Sequence, residues 1–194
     1  KPFALFEVLD ADERKKLDKQ FKSFVFNKKE IIHREGFTPT GLFIIKKGKV
    51  KIYKISDSSK EVIIHIAGEG EMLGYSALMR KSEYHYWAEA IEKTELNFLP
   101  KKYFYELIET HPTFSAGLMS IFARQFDAVM DKMVDILSNQ VRKRTVKTLL
   151  WLREKHGMDE DNKTIKLTLS RNDLAHLVAT NTETLVRTLT ELRK

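Results

Sequence analysis

Apolar and polar positions alternate in short segments over about the first hundred residues. Glycines fall between these segments, as tight turns between strands require. Segments predicted as strands are Ile31–His33, Gly41–Lys46, Lys49–Ile55, Val62–Ala67, His85–Ala90 and Glu95–Leu99, and a short polar helix over 11–22 precedes them. Several short strands joined by turns indicate an antiparallel sandwich or jelly-roll barrel.

From Lys101 onward the apolar positions recur at helical spacing. A first helix ends near His111 and Pro112, and a longer helix follows over residues 113–137. Two apolar stripes run along this longer helix. The first stripe has heptad-like spacing and consists of Leu118, Phe122, Gln125, Val129, Lys132 and Ile136; the second consists of Met119, Phe126, Met130 and Met133.

A helix that is apolar on two faces needs two packing partners. We expect the second stripe to lie on the barrel. We expect the first stripe to pair with the same helix of a second copy, so that Leu118, Phe122, Gln125, Val129 and Ile136 form the interface of a homodimer. The alternative is a single core helix in a monomer.

The last 25 residues predict two short helices joined by a tight turn. Ser170 can cap the first helix, with Asp173 three residues later completing a capping box. Asn181 can cap the second helix. The positions predicted to be buried between the two helices are Leu174, Ala175, Leu177, Val178, Leu185, Leu189 and Leu192.

The outer side of the second helix carries Thr182, Glu183, Thr184 and Arg187. We call these four residues the reading face. A glutamate can accept a hydrogen bond from cytosine N4, and an arginine can bind guanine O6 and N7. The pattern is typical of a helix-turn-helix that enters the major groove of DNA; an ordinary helical hairpin with a polar surface is the alternative.

Lys and Arg number 34 against 27 Asp and Glu, which gives a formal net charge of +7 and a pI near 9.4. Such a charge favours a negatively charged partner such as nucleic acid. Basic residues cluster just before the helical pair, where we expect them to contact DNA phosphates; they are Arg142, Lys143, Arg144, Lys147, Arg153 and Lys155.

The chain contains no cysteine, which excludes disulfides and thiolate metal sites. No apolar run is long enough to cross a membrane, and no signal-peptide pattern opens the sequence, so we expect a soluble cytoplasmic protein without a membrane partner. The histidines, at 33, 65, 85, 111, 156 and 176, are scattered. A cupin-like metal enzyme is the alternative of another class, but no metal-ligand spacing and no catalytic motif supports it, and we expect neither a metal site nor catalysis.

The order of strands, long helix, basic segment and helical pair resembles the CRP/FNR family of bacterial transcription regulators. The residues that carry the resemblance are Gly36, Leu42–Tyr53, Gly68–Gly74, Ala77, Leu78 and Asn172–Arg187. The resemblance implies an α+β fold with an effector-sensing jelly-roll barrel over 1–112, a dimerisation helix over 113–137, and a winged helix-turn-helix over 138–194 whose wing would follow Lys194. It also implies a dimer that binds a roughly palindromic site in double-stranded DNA and contacts RNA polymerase.

Within the resemblance, Glu183 and Arg187 match the family's base-reading glutamate and second arginine. Thr182 stands where cyclic-AMP receptor proteins have another arginine, and Val186 stands where the FNR branch has serine, so the half-site core resembles either TGTGA or TTGAT. Ala179 replaces a usual turn glycine. The positions that match phosphate contacts are Ser170, Arg171, Asn181 and Thr184.

The effector site departs from the family's cyclic-AMP pattern in each of its parts. Tyr75 replaces the glutamate that follows the glycine corresponding to Gly74. Tyr84 and His85 replace the phosphate-binding Arg-Ser pair. Val129 and Met130 replace the threonine and serine that meet adenine. A buried cyclic phosphate without its arginine costs several kcal/mol, so we do not expect cyclic AMP to bind in the usual manner.

The residues that remain suggest an aromatic and thioether-lined pocket, and its effector is unknown. Its predicted lining is Met72, Leu73, Gly74, Tyr75, Leu78, Met79, Tyr84, His85, Tyr86, Val129 and Met130. Haem is one possible cofactor, in a gas-sensing regulator of nitric oxide or carbon monoxide, with His85, Met72, Met79 or His65 as axial ligands. The alternatives are another apolar effector and no small-molecule effector at all.

Overall fold

A computed structural model describes residues 4–57 and 61–193, and its strands form two antiparallel four-stranded sheets. One sheet has the strand order β1-β8-β3-β6, and the other has the order β2-β7-β4-β5. The strands are β1 Lys22–Phe26, β2 Ile31–His33, β3 Gly41–Lys47, β4 Val50–Ile55, β5 Glu61–Ala67, β6 Met72–Leu73, β7 Trp87–Ala90 and β8 Thr94–Pro100.

Seven α-helices accompany the sheets in the described part of the chain, and a short 3-10 helix spans Ala4–Val8. The α-helices are α1 Ala11–Asp18, α2 Tyr75–Arg80, α3 Lys101–Thr110, α4 Pro112–Ser138, α5 Val141–His156, α6 Arg171–Val178 and α7 Thr182–Leu192. α1 begins with a capping box between Asp10 and Glu13, which satisfies backbone N–H groups of its first turn.

The interior of the barrel is formed by the apolar residues of its strands. In β3 the residues Leu42, Ile44 and Ile45 are almost fully buried. They belong to two apolar clusters, one of which also contains Phe104 of α3 and Phe114 of α4. The described residues form two compact units, one up to Glu61 together with His65–Arg124, and one of Val62–Ile64 together with Gln125 onward.

The predicted α+β fold is confirmed: antiparallel sheets, a long helix and a C-terminal helical pair occur in the expected order. Four elements were missed: the 3-10 helix Ala4–Val8, β1, β6 and α2. β1 is an edge strand with almost no buried residue, so it lacks the alternation that reveals a half-buried strand. The helix predicted over 11–22 ends at Asp18, and His85 and Tyr86 precede β7 instead of opening it.

α4 is 27 residues long and was predicted within one residue at each end. The boundary between the two compact units falls within α4, after Arg124. The predicted division of the chain into three domains, at residues 112 and 137, stays a prediction. Although α4 is long, no helix among the described residues is long and apolar enough to span a membrane.

The assignment of the two stripes of α4 needs correction. Leu118, predicted for the dimer interface, is fully buried in the core that also contains Phe114, and Phe122 packs against that core. The side of α4 facing this core is therefore the one carrying positions 114, 118 and 122, which share a helix face. The stripe expected to lie on the barrel is exposed instead: Met119 is 61%, Phe126 65%, Met130 39% and Met133 47% exposed.

Candidate nucleic-acid interface and barrel interior

The capping groups of α6 and α7 are the ones predicted from the sequence. The Ser170 hydroxyl accepts from the Asp173 backbone N–H at 3.0 Å, and the Asp173 carboxylate accepts from the Ser170 backbone N–H at 3.2 Å. Asn181 accepts from the Thr184 backbone N–H at 2.8 Å through its side-chain oxygen. These contacts fix where both helices begin.

The interior between the two helices also agrees with the prediction. Leu174, Ala175, Leu177, Val178 and Leu185 are buried, and Leu189 and Leu192 are half-buried. α5 contributes the buried Leu152 to the same unit. This apolar packing turns the opposite side of α7 toward solvent.

The turn between the helices passes through Ala179 in the left-handed region, with φ 59° and ψ 55°. This conformation is costly for any residue with a Cβ atom. Ala179→Gly is therefore expected to raise the free energy of unfolding by about 1 kcal/mol. Urea unfolding measures the change, with Ala175→Gly as the control; Ala175 is buried within α6 and its replacement should lower stability. A loss of stability in both variants would contradict the strain argument.

The reading face is presented to solvent at the start of α7. Glu183 and Arg187 are exposed and one helical turn apart, and neither side chain has a hydrogen bond or ion pair with any described residue. Thr182 is half-buried and its hydroxyl donates to the Asn172 side chain at 3.3 Å, and Thr184 is held by the Asn181 cap. A glutamate and an arginine without internal partners can bind a ligand without first breaking a contact.

The residues predicted to contact DNA phosphates differ in whether their side chains already have partners within the protein. Arg171 is exposed at the first turn of α6 and has no partner among the described residues. The hydroxyl of Ser170 and the side-chain oxygen of Asn181 already serve as helix caps. In the basic segment Arg142 and Lys143 are exposed, whereas Lys147 forms an ion pair with Asp135, and this contact holds the pKa of the Asp135 carboxyl below its usual range.

Arg144 is not available to a phosphate, which corrects its place in the predicted basic contact surface. Its guanidinium donates to backbone carbonyls of Asn139 at 2.7 Å, Ala179 at 2.9 Å and Val178 at 3.0 Å. Sequence reasoning missed this role because the acceptors are main-chain oxygens, which any residue carries.

In the segment between α5 and α6, Met158 and Ile165 form a short antiparallel β-bridge that was not predicted. Asp161 organises its turn by accepting from the Lys163 and Thr164 backbone N–H groups at 2.9 and 2.8 Å. The Thr164 hydroxyl donates to the same carboxylate, and together these bonds lower the pKa of Asp161. The signal in the sequence is the run Asp159–Asn162, which is typical of a turn.

In the barrel, Tyr75, Gly74 and Tyr84 of the predicted effector set pack tightly. Tyr75 is 6% exposed, belongs to the core cluster and contacts Phe122 with ring centroids 5.0 Å apart. Gly74 has φ 84°, and a Cβ there would lie 2.9 Å from the Tyr84 ring. Burial raises the pKa of Tyr84 to about 12, so the Tyr84 phenol is neutral in the folded protein at physiological pH.

The Tyr84 ring stacks on His33, with centroids 3.9 Å apart and planes at 10°. Burial lowers the pKa of His33 to about 4, against the partly opposing effect of a hydrogen bond with the Tyr86 backbone. His33 is therefore neutral in the folded protein at pH values where the unfolded chain, with an ordinary pKa near 6.5, binds a proton.

Because the unfolded chain binds this proton and the folded protein does not, the free energy of unfolding is expected to fall as the pH is lowered from about 6.5 to about 4. His33 contributes at most one proton per chain to the uptake on unfolding. Urea unfolding across this pH range measures the slope. His33→Phe, which keeps an aromatic ring on Tyr84, should show a shallower slope. An identical slope in the two proteins would refute the contribution of His33.

The other predicted effector residues lie in different surroundings. His85 is exposed and its Nε2 lies 2.7 Å from Arg80 Nη1, and Tyr86 is 38% exposed. Val129 and Met130 are 59% and 39% exposed on α4. Met72 and Met79 are partly buried against the core, and His65 Nε2 lies 2.7 Å from Glu71 Oε2. One ring nitrogen of His85 and one of His65, the two histidines predicted as haem ligands, thus already lie within hydrogen-bonding distance of a side chain.

The first unit contains a groove of about 290 Å³. Its lining is Thr38, Pro39, Lys81, Ser82, Glu83, Lys101 and Tyr105. None of the residues predicted to line an effector pocket takes part in it. The buried Ser82 hydroxyl has no hydrogen-bond partner among the described residues.

Comparison with known proteins identifies both parts of the chain. The model of the cyclic nucleotide-binding domain matches residues 23–111, and the model of the Crp-like helix-turn-helix domain matches residues 143–194. Together they span most of the chain, with α4 between them, in the order that the fold shows. The chain belongs to the CRP/FNR family of DNA-binding transcription regulators.

Relatives resemble the chain along almost its whole length. The CRP-like cAMP-activated global transcriptional regulator of Mycobacterium tuberculosis is 24% identical over 96% of this chain and 84% of the relative. The solved structure of the Thermus thermophilus catabolite activator protein is 26% identical, with a TM-score of 0.59 over 97% of this chain and 86% of that one. The c-di-GMP responsive regulator CLP of Xanthomonas campestris is 23% identical and shares the fold, with a TM-score of 0.76 over 95% and 92% of the two chains.

Proposed function

We propose that this regulator acts as a homodimer that recognises a palindromic DNA site through two copies of α7, under control of a barrel effector other than cyclic AMP. The observation that carries the proposal is the pair Glu183 and Arg187, both exposed and unpartnered at the start of a helix whose beginning is fixed by the Asn181 cap. At this position the two side chains can contact base edges in the major groove.

The exposed apolar side of α4 supports the homodimer. Phe126, Val129 and Val134 are 65%, 59% and 58% exposed on one long helix. A row of large apolar side chains in water is unfavourable by about 25 cal/mol per Å² of exposed area. Pairing of two α4 helices would remove this area from water. A dimer that binds a palindrome must then present its two reading faces about one turn of DNA, roughly 34 Å, apart.

Three substitutions support an effector other than cyclic AMP. Tyr75, Tyr84 and Val129 replace residues that contact the nucleotide in cyclic-AMP receptors, and Tyr75 and Tyr84 are buried by neighbouring side chains. Proteins of this fold respond to different molecules, as the names of the cAMP-activated and c-di-GMP responsive relatives state. The regulator would act in the cytoplasm, where it meets its operators and RNA polymerase.

Selection from a pool of randomised 40-bp duplexes tests the proposed function. The expected product is a palindrome whose half-sites lie about 10–10.5 base pairs apart, bound by a dimer in sedimentation measurements. Recovery of no common sequence would overturn sequence-specific binding.

The same selected duplex tests the effector assignment. Cyclic AMP at 1 mM is expected to leave both the melting temperature and the DNA affinity of the protein unchanged. A rise in either quantity would overturn the exclusion of cyclic AMP. A stoichiometric Soret band after addition of haem, lost in His85→Ala, would show that the effector is haem.

A further inference from the structure

Arg144 connects three segments of the second unit through one guanidinium group. It binds the backbone carbonyl of Asn139 at 2.7 Å and, more weakly, that of Ile136 at 3.4 Å, both at the end of α4. It also binds the carbonyls of Val178 and Ala179, at 3.0 and 2.9 Å, in the turn of the helix-turn-helix. We call this set of hydrogen bonds the Arg144 bridge.

The chemistry of the bridge explains why an arginine is needed. The last carbonyls of a helix lack intrahelical partners and carry the negative end of the helix dipole. The C-terminal ends of α4 and α6 therefore both attract a cation. A planar guanidinium with five N–H donors can serve two helix ends at once, whereas a lysine ammonium is a point charge with a different geometry.

The surroundings strengthen the same connection. Asp135, in the last turn of α4, pairs with Lys147 of α5 and accepts from the Asn139 side chain at 2.7 Å. The segment between α4 and α5 is thus fixed by side chains on both sides. Ala179, one of the bridge acceptors, is the left-handed residue two positions before the Asn181 cap of α7.

We propose that Arg144 is a positioning residue that joins the end of α4 rigidly to the helix-turn-helix, so that the orientation of α4 determines where the reading face lies. This inference rests on the proposed function, in which two reading faces must match two half-sites. A dimer with rigid joints discriminates strongly between half-site spacings, because each added base pair rotates one half-site by about 35° and moves it about 3.4 Å.

The first test measures the joint without DNA. The chain has no cysteine, so Asp131→Cys and Glu191→Cys provide two unique spin-label positions, one on α4 and one on α7. Labelled protein is diluted with excess unlabelled protein so that only distances within one chain are seen. Arg144→Gln is expected to broaden the distance distribution at least twofold. An unchanged distribution would overturn the proposal, whether or not the protein proves to bind DNA.

The second test uses the selected palindrome, the same palindrome with one or two base pairs inserted at its centre, and a duplex with a single half-site. Arg144→Gln is expected to bind the single half-site within twofold of the natural protein. Its preference for the correct spacing over the altered spacings should fall at least threefold. Arg142→Gln removes a cation from the same helix and should weaken binding to all duplexes in proportion, which leaves the preference unchanged.

Arg144→Lys keeps the charge and is expected to lie between the natural protein and Arg144→Gln in both tests. An equal loss of affinity for the single half-site and for the palindrome would show that Arg144 only stabilises the fold, and it would overturn the positioning role. Absence of any DNA selectivity in the natural protein would count against the proposed function, while the spin-label distances would still decide the role of Arg144.

Discussion

Replacing Phe126 by glutamate is expected to convert the proposed homodimer into monomers. Phe126 is 65% exposed on α4, and a two-fold axis along the helix pair would bring both copies of this residue into one interface. Burial of a phenylalanine side chain contributes about 1.5–3 kcal/mol. Two copies then contribute about 3–6 kcal/mol, and the dissociation constant of the dimer should rise by about 100- to 10,000-fold.

Sedimentation equilibrium at micromolar concentration measures this effect. Phe37→Glu is the matched control, because Phe37 is 60% exposed in the barrel unit and its replacement should leave the dimer intact. Affinity for a palindrome should fall with the dimer, since a monomer contacts only one half-site. If Phe126→Glu remained a dimer, this side of α4 would not form the dimer interface.

Arg187→Ala is expected to cost about 1–3 kcal/mol per half-site in specific binding, the amount that a bidentate arginine–guanine contact contributes. The side chain is exposed and has no described partner to leave behind, so the fold should keep its stability. Discrimination at one base pair of each half-site should relax. Binding isotherms on the selected site and on its single-base variants give both quantities, and circular dichroism monitors the fold.

Lys143→Ala provides the contrast. Lys143 is exposed in the basic segment of α5, and a phosphate contact carries no sequence information. Its loss should weaken binding to all duplexes similarly and reduce the salt dependence by about one counterion per contact. If Arg187→Ala behaved like Lys143→Ala, with unchanged discrimination, α7 would not be the element that reads the bases.

Local features of the fold were predictable because a few neighbouring residues determine them. The Ser170–Asp173 capping box and the Asn181 cap both form as the sequence indicates. The same holds for the buried positions of α6, which follow from helical periodicity alone. β1 was not predictable in this way, since its edge position leaves both faces accessible and removes the alternation.

The error on α4 has a different origin. Periodicity indicated two apolar stripes, but it contains no information on which of their residues meet the barrel core. Leu118 and Phe122 pack in or against the barrel core, and Met119 and Phe126 remain exposed. That choice depends on the shape of the surface presented by other elements, including Phe104 of α3 and Tyr75 of α2.

The sequence by itself determined the order of the elements, the caps of the helical pair and the likeness to the CRP/FNR family, because periodicity, capping and motif spacing are properties of short segments. Only the tertiary structure decided that His33 stacks on Tyr84 and that Arg144 binds the carbonyls of Val178 and Ala179. In each case the partners are more than 30 positions apart in the chain, and one partner is a main-chain oxygen or an aromatic face that many residues offer. Such contacts acquire their identity from packing, which brings one particular pair together among many chemically equivalent pairs.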